Sequence, residues 1–189
     1  STFPIEWPNA QLKTDKRQKI HFSDTGQLDV PPQIPMDAKI RTIAVCFKTS
    51  KVQTMTFLDL GENNRLGQGF NLGVFDAQSE FNKWRAHGPG VYVGFWMLDL
   101  LIPRSIYDDS WHFLAASWNE KRQLFVVLDG ESYDGFLTIS AGQPMPLKHP
   151  YLLPEVFNPA FSKGLQLSRL KNHHPKQTNR FQGEIDEIA

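Results

Sequence analysis

The chain has 189 residues, 40% hydrophobic and 21% charged, a balance that predicts one packed globular domain rather than a disordered segment. Twenty Lys and Arg offset twenty Asp and Glu, which argues against general attraction to nucleic acid or an anionic membrane. No apolar run approaches the roughly eighteen residues of a spanning helix, so membrane insertion is not expected.

Strand signals dominate the chain, and no helical period exceeds about two turns. In order, the expected strands are KIRTIAVCFKT (39–49), TMTFLDLG (54–61), GFNLGVFD (69–76), GVYVGFWMLDLL (90–101), WHFLAASWN (111–119), QLFVVLDG (123–130), GFLTIS (135–140), GLQLSRL (164–170) and FQGEIDEIA (181–189). Between them lie stretches such as GENNRLG, AHGPG, SIYDDS and NEKRQ, whose Gly, Asn, Asp and Ser tolerate turn geometry. The class is all-β, a two-sheet antiparallel β-sandwich. GVYVGFWMLDLL scarcely alternates, so it belongs mid-sheet, with one face on the opposite sheet and the other under loops or lining a partly apolar groove. Residues 140–164 carry five prolines and three aromatics and read as a long ordered loop.

Cys46, the single cysteine, excludes an internal disulfide and reads as a small buried hydrophobe. No signal-peptide layout opens the chain and no N-x-[ST] sequon occurs, so nothing marks a eukaryotic secretory route, while bacterial export stays open.

The stretch DDSWHFLAASWNEKRQLFVVLDGESYDG (108–135) resembles the centre of a laminin-G-like, concanavalin-A-like jelly-roll domain. Trp111-His112 through Trp118 fits that family's W-H-x-[VIL]-A-x-[TS]-[WY] strand, and Leu124 through Gly130 its L-x-[LV]-[YF]-[VL]-D-G strand. Physically this is a hairpin turning at NEKRQ, with Asp129-Gly130 making the next tight turn. FKTS with TFLDLG, GLQLSRL and FQGEIDEIA follow the pattern in order, so residues 39–189 carry the resemblance best. IHFSDTGQLDV (20–30) is similar to the family's opening strand pair, which implies that residues 1–38 join the same sandwich, with its first strand beside the last. The resemblance fixes the fold and leaves activity open, because lectins, adhesion modules, hydrolases and lyases share it.

GEIDE, inside the last strand, tests the hydrolase possibility. A retaining glycosidase needs two carboxylates about 5 Å apart, and one strand can supply them because same-face neighbours stand roughly 6.5–7 Å apart. Glu184 and Asp186 share a face, but the next position is Ile188 and the bulged alternative is Ala189. The acid/base group is missing, so no catalytic residue is assigned, and GEIDE is expected to be a closing strand with Ile185 in the core. QKIHF (18–22) lacks the lyase spacing, because Gln18 and His21 fall on opposite faces. His173-His174 reads as a solvated loop. No cofactor is expected; calcium is possible, with Asp76, Asp99, Asp108 and Asp109 as weak candidates, since no spaced acid cluster appears.

Aromatic rings are abundant, and a flat ring can cover the C–H face of a sugar while polar neighbours bond its hydroxyls. The candidate ligand-binding residues are Trp84 with Arg85 and His87 in FNKWRAHGPG, Tyr92 and Trp96 in the central strand, and His112 and Trp118 on one face of the W-H strand. Trp111 is expected in the core. The reading is a non-catalytic module for carbohydrate or a glycosylated surface. The alternative is a structural or adhesion domain binding protein partners in a larger extracellular or surface chain; a glycoside hydrolase is the least supported.

Overall fold

The structure, a computed structural model, describes residues 20–22, 28–30, 41–60, 66–76, 87–139, 143–157, 165–167 and 181–188. Among these, the chain forms fourteen strands: β1 (Ile20–Phe22), β2 (Leu28–Val30), β3 (Arg41–Lys48), β4 (Met55–Leu60), β5 (Phe70–Phe75), β6 (Gly90–Gly94), β7 (Leu98–Ile102), β8 (Trp111–Trp118), β9 (Gln123–Leu128), β10 (Gly135–Ile139), β11 (Met145–Leu147), β12 (Tyr151–Leu152), β13 (Leu165–Leu167) and β14 (Gly183–Ile188). They make two antiparallel sheets. The six-stranded sheet runs β1-β14-β3-β8-β9-β12, and the eight-stranded sheet runs β11-β10-β7-β6-β5-β4-β13-β2.

Inward residues of the two sheets meet in one apolar core. Phe47 of β3 stacks on Phe57 of β4 at 4.8 Å, and Phe57 meets Phe181 edge-on at 5.5 Å, so rings bridge the layers. Burying each such side chain stabilises the fold by about 1.5–3 kcal/mol. Strands β4, β5 and β6 are buried at every position, as expected for the interior of the larger sheet. Their second face carries its own small cluster of Phe75, Tyr92 and Leu101, with Phe136 against it.

Several sequence expectations need correction. Residues 90–101 are not one strand: Phe95 N donates to Leu98 O at 2.7 Å, and the chain reverses between β6 and β7. The two central residues of that turn, Trp96 and Met97, have φ of 43° and 58°. These are type I′ angles, which normally call for Asn-Gly, so bulky residues here gave no turn signal. The proline-rich segment holds two short strands, β11 and β12, each at a sheet edge, where a missing N–H is tolerated. β1 does lie beside β14, but β1 and β2 are not partners, since β2 pairs with β13 in the other sheet. In β14, Ile185 is buried against Phe47, and the register then shifts so that Ile188 faces Val45. This bulge inserts one residue and turns Ile188 toward the core, where strict alternation would have placed it on the Glu184 side.

Candidate functional site

The W-H strand alternates strictly, and its parity sorts the candidate residues. In β8 the even positions His112, Leu114, Ala116 and Trp118 are buried, and the odd positions face out. Trp118 is 2% exposed and packs on Phe70 at 5.1 Å and edge-on to Phe95 at 5.8 Å. His112 is 8% exposed, tilted over Phe47 at 5.6 Å. Both share a face, as expected, but that face is the core, so neither offers a surface to a ligand.

His112 nonetheless organises its end of the sheet. Its Nδ1 lies 2.8 Å from Asp129 Oδ2 and its Nε2 lies 3.0 Å from Asp108 Oδ1. Asp129 Oδ1 accepts the Phe113 N–H at 2.9 Å, and Asp108 Oδ1 accepts the Ser110 N–H at 2.9 Å. The Ser110 amide, with help from His112, holds the Asp108 carboxyl below its usual range. Three segments are thereby tied together: the turn before β8, β8 itself, and the Asp129-Gly130 turn, whose φ of 54° and 82° fit the expected type I′ hairpin.

The outward face of the six-stranded sheet is different. Trp111, Phe113 and Phe125 are 39%, 41% and 38% exposed. Register pairs Lys48 with Trp111, Cys46 with Phe113, Ala44 with Ala115 and Thr42 with Ser117; β9 adds Val127 beside Ala115 and Phe125 beside Ser117. Small side chains thus form a floor from which three rings stand up. Cys46 lies on this half-exposed face, not in the core as expected. Trp111 was likewise expected inside. Parity requires Trp111 and Trp118, seven residues apart, to point opposite ways, but which of them faces the core is set by the opposite sheet.

The remaining candidates separate. Trp84 and Arg85 lie outside the described residues, as do His173 and His174. His87 and Tyr92 are brought together on the second face of the eight-stranded sheet: His87 stacks on Phe136 at 3.9 Å, and Phe136 packs against the cluster containing Tyr92. Burial lowers the His87 pKa from its ordinary value. Tyr92 is buried; its ring lies across Gly73, where an added Cβ would come within 2.4 Å of Cε1, and its hydroxyl bonds Thr56. It closes the sheet face instead of presenting itself to a ligand, and burial drives its phenol pKa strongly upward. Trp96 sits half-buried at the β6–β7 turn, where its carbonyl accepts Gly67 N–H at 3.2 Å.

A polar row crosses that second face, with Asp59 opposite Asn71, Asn71 opposite Gly94, Gly94 opposite Asp99, and Asp99 opposite Thr138. Asp59 and Asp99 stand three strands apart, about 14 Å at the usual strand spacing. That backbone separation exceeds both carboxylate spacings used in glycoside hydrolysis, about 5 Å and about 6.5–9.5 Å. The calcium candidates are dispersed: Asp76 is buried at the end of β5, Asp99 lies in β7, Asp108 bonds His112, and Asp109 lies 3.6 Å from Lys48 Nζ. Among the described residues, no three His, Cys, Asp or Glu side chains gather into a metal-holding group. Among them, too, no helix is long and apolar enough to cross a membrane.

No protein-family model and no curated protein sequence matches the chain. Solved structures do. Domains LG4–5 of the mouse laminin α1 chain align with a TM-score of 0.57 at 14% identity, over 99% of this chain and 46% of that one. The binding domain of botulinum neurotoxin DC, in complex with rat synaptotagmin II, aligns at 0.52 and 15%, over 95% and 41%. A botulinum neurotoxin type C structure, described by cell entry dependent upon interaction with two ganglioside molecules, aligns at 0.50 and 12%, over 95% and 41%. The chain spans less than half the length of these solved chains. At such identities the likeness concerns architecture, and the architecture of this chain is the laminin-G-like, concanavalin-A-like jelly roll.

Proposed function

We propose that the chain is a single non-catalytic binding domain that recognises carbohydrate or a glycosylated surface, outside the cell or at its surface. One observation carries the reading: Trp111, Phe113 and Phe125 are each partly exposed on one face of the six-stranded sheet, beside a floor of Ala44, Cys46, Ala115 and Val127. Full burial of such a ring contributes about 1.5–3 kcal/mol, so leaving roughly two-fifths of each exposed forgoes about that share, and a ligand that covers them recovers part of it. Thr42 and Ser117 supply hydroxyl groups on the same face for sugar hydroxyls. The fold neighbours include one whose description names gangliosides, which is consistent with a glycan ligand and carries no residue over to this chain. Glu184 and Asp186 give no acid pair, in keeping with binding without cleavage. The reading needs no cofactor, so EDTA should leave binding unchanged.

A glycan array with the wild type and Trp111→Ala tests this. Loss of glycan signal with an unchanged melting temperature supports it. An array on which the wild type binds nothing rejects it and leaves the adhesion reading, in which the same face docks a protein.

A further inference from the structure

Resting on that reading, we infer that the outward face of the six-stranded sheet takes an extended, non-acidic oligosaccharide laid along β8. Its length follows from register. Trp111 and Phe113 are successive outward residues, roughly 7 Å apart, and Phe125 stands beside Ser117, four residues beyond Phe113. The three rings therefore mark a stripe about 20 Å long, six residues of strand rise. A single sugar ring covers one aromatic; only a chain of sugars touches all three. Between Phe113 and Phe125 the stripe is floored by Ala115 and Val127, low enough for a chain to pass over.

The charge at the Trp111 end selects against acidic glycans. Asp108, Asp109 and Asp129 are exposed beside Trp111 and Phe113, and Glu131 follows in the same turn as Asp129. Among the described residues, the cations at this end are Lys48, held 3.6 Å from Asp109; Lys51; and Arg104, which sits over the Tyr133 ring at 5.5 Å. The carboxylates outnumber these cations, and two of the cations are already engaged. Carboxylate oxygens accept hydrogen bonds from sugar hydroxyls but repel sulfate, phosphate or sialic carboxylate. At the Phe125 end the face offers hydroxyls, with Thr42 Oγ1 donating to Ser117 Oγ at 2.9 Å, and the His149 ring packs edge-on to Phe125 at 5.9 Å.

The experiment uses the whole chain on an array of neutral and acidic glycans, followed by calorimetry with a length series of a bound neutral glycan and its sulfated counterpart. Affinity should rise with chain length and level off once all three rings are covered. The sulfated series should bind at least tenfold more weakly, and added salt should narrow that gap. Phe125→Ala should weaken the longest ligand roughly tenfold, about 1.4 kcal/mol, while leaving the shortest unchanged. Monosaccharide binding as tight as the longest chain overturns the inference, as does tighter binding of the sulfated series. In both cases the carbohydrate reading survives. An array with no binding rejects that reading itself. Phe125→Tyr, which keeps the ring, should restore the length dependence if the alanine variant is unstable.

Discussion

Replacing Trp118 by Ala separates a core tryptophan from a ligand platform. The indole is 2% exposed and surrounded by Phe70, Phe95 and Phe157. Burial of about 150–250 Å² at roughly 25 cal/mol per Å² gives about 4–6 kcal/mol, an upper bound because the unfolded chain already buries some of it. Large-to-small aromatic substitutions in cores cost about 3–5 kcal/mol, since the cavity collapses only in part. Taking about 4 kcal/mol, and about 2–4 °C per kcal/mol for a chain of this size, the melting temperature should fall by about 8–16 °C. Thermal unfolding followed by near-ultraviolet circular dichroism reads this directly. A variant that melts within about 2 °C of wild type but no longer binds its ligand would refute the assignment and return Trp118 to a binding role.

Three further outcomes are expected. Asp129→Ala should cost about 1–3 kcal/mol in urea unfolding by orphaning His112 and the Phe113 amide, whereas Asp129→Asn should cost under half as much, because Asn tolerates the left-handed backbone and still accepts from Phe113; equal losses would remove the clamp from the account. Met97→Gly should raise stability by about 1 kcal/mol, since φ of 58° strains an L-residue and the side chain is 45% exposed; a lower melting temperature would mean that Met97 packing matters more than its backbone. Tyr92 and Tyr107 have phenol pKa values raised by burial, so the folded chain keeps protons the unfolded chain gives up near pH 10. Stability should be full below about pH 10 and fall above it by about 1.4 kcal/mol per pH unit for each tyrosine. Phenolate absorbance appearing well before loss of structure would contradict the burial.

What the sequence disclosed follows from local chemistry. Asp129-Gly130 announced its hairpin because both residues accept positive φ, and Asn119 announced the β8–β9 turn, where its Oδ1 accepts the Lys121 and Gln123 amides. Trp96-Met97 makes the same kind of turn without such residues, so tertiary packing imposes it and the sequence is silent. The inward placing of Trp118 is hidden from the sequence for a related reason. Whether an alternating strand turns its even or odd residues inward depends on the opposite sheet, and with Trp111 and Trp118 on opposite parities one had to face solvent. Composition cannot say which; the Phe70, Phe95 and Phe157 rings decide for Trp118. The β14 bulge is equally unreadable, because the extra residue answers a register set by β3, about 140 positions earlier in the chain.

The place of β14 between β1 and β3 has a consequence for assembly. Until residues 183–188 arrive, β3 offers an open row of amides and carbonyls on one flank, with Val45 and Phe47 at its centre, although its other flank is already zipped to β8. A chain in which β14 has not yet docked therefore carries a half-finished layer whose open strand edge can pair with another chain. Closing that flank joins residues about 140 positions apart, a pairing of the long-range kind that slows folding.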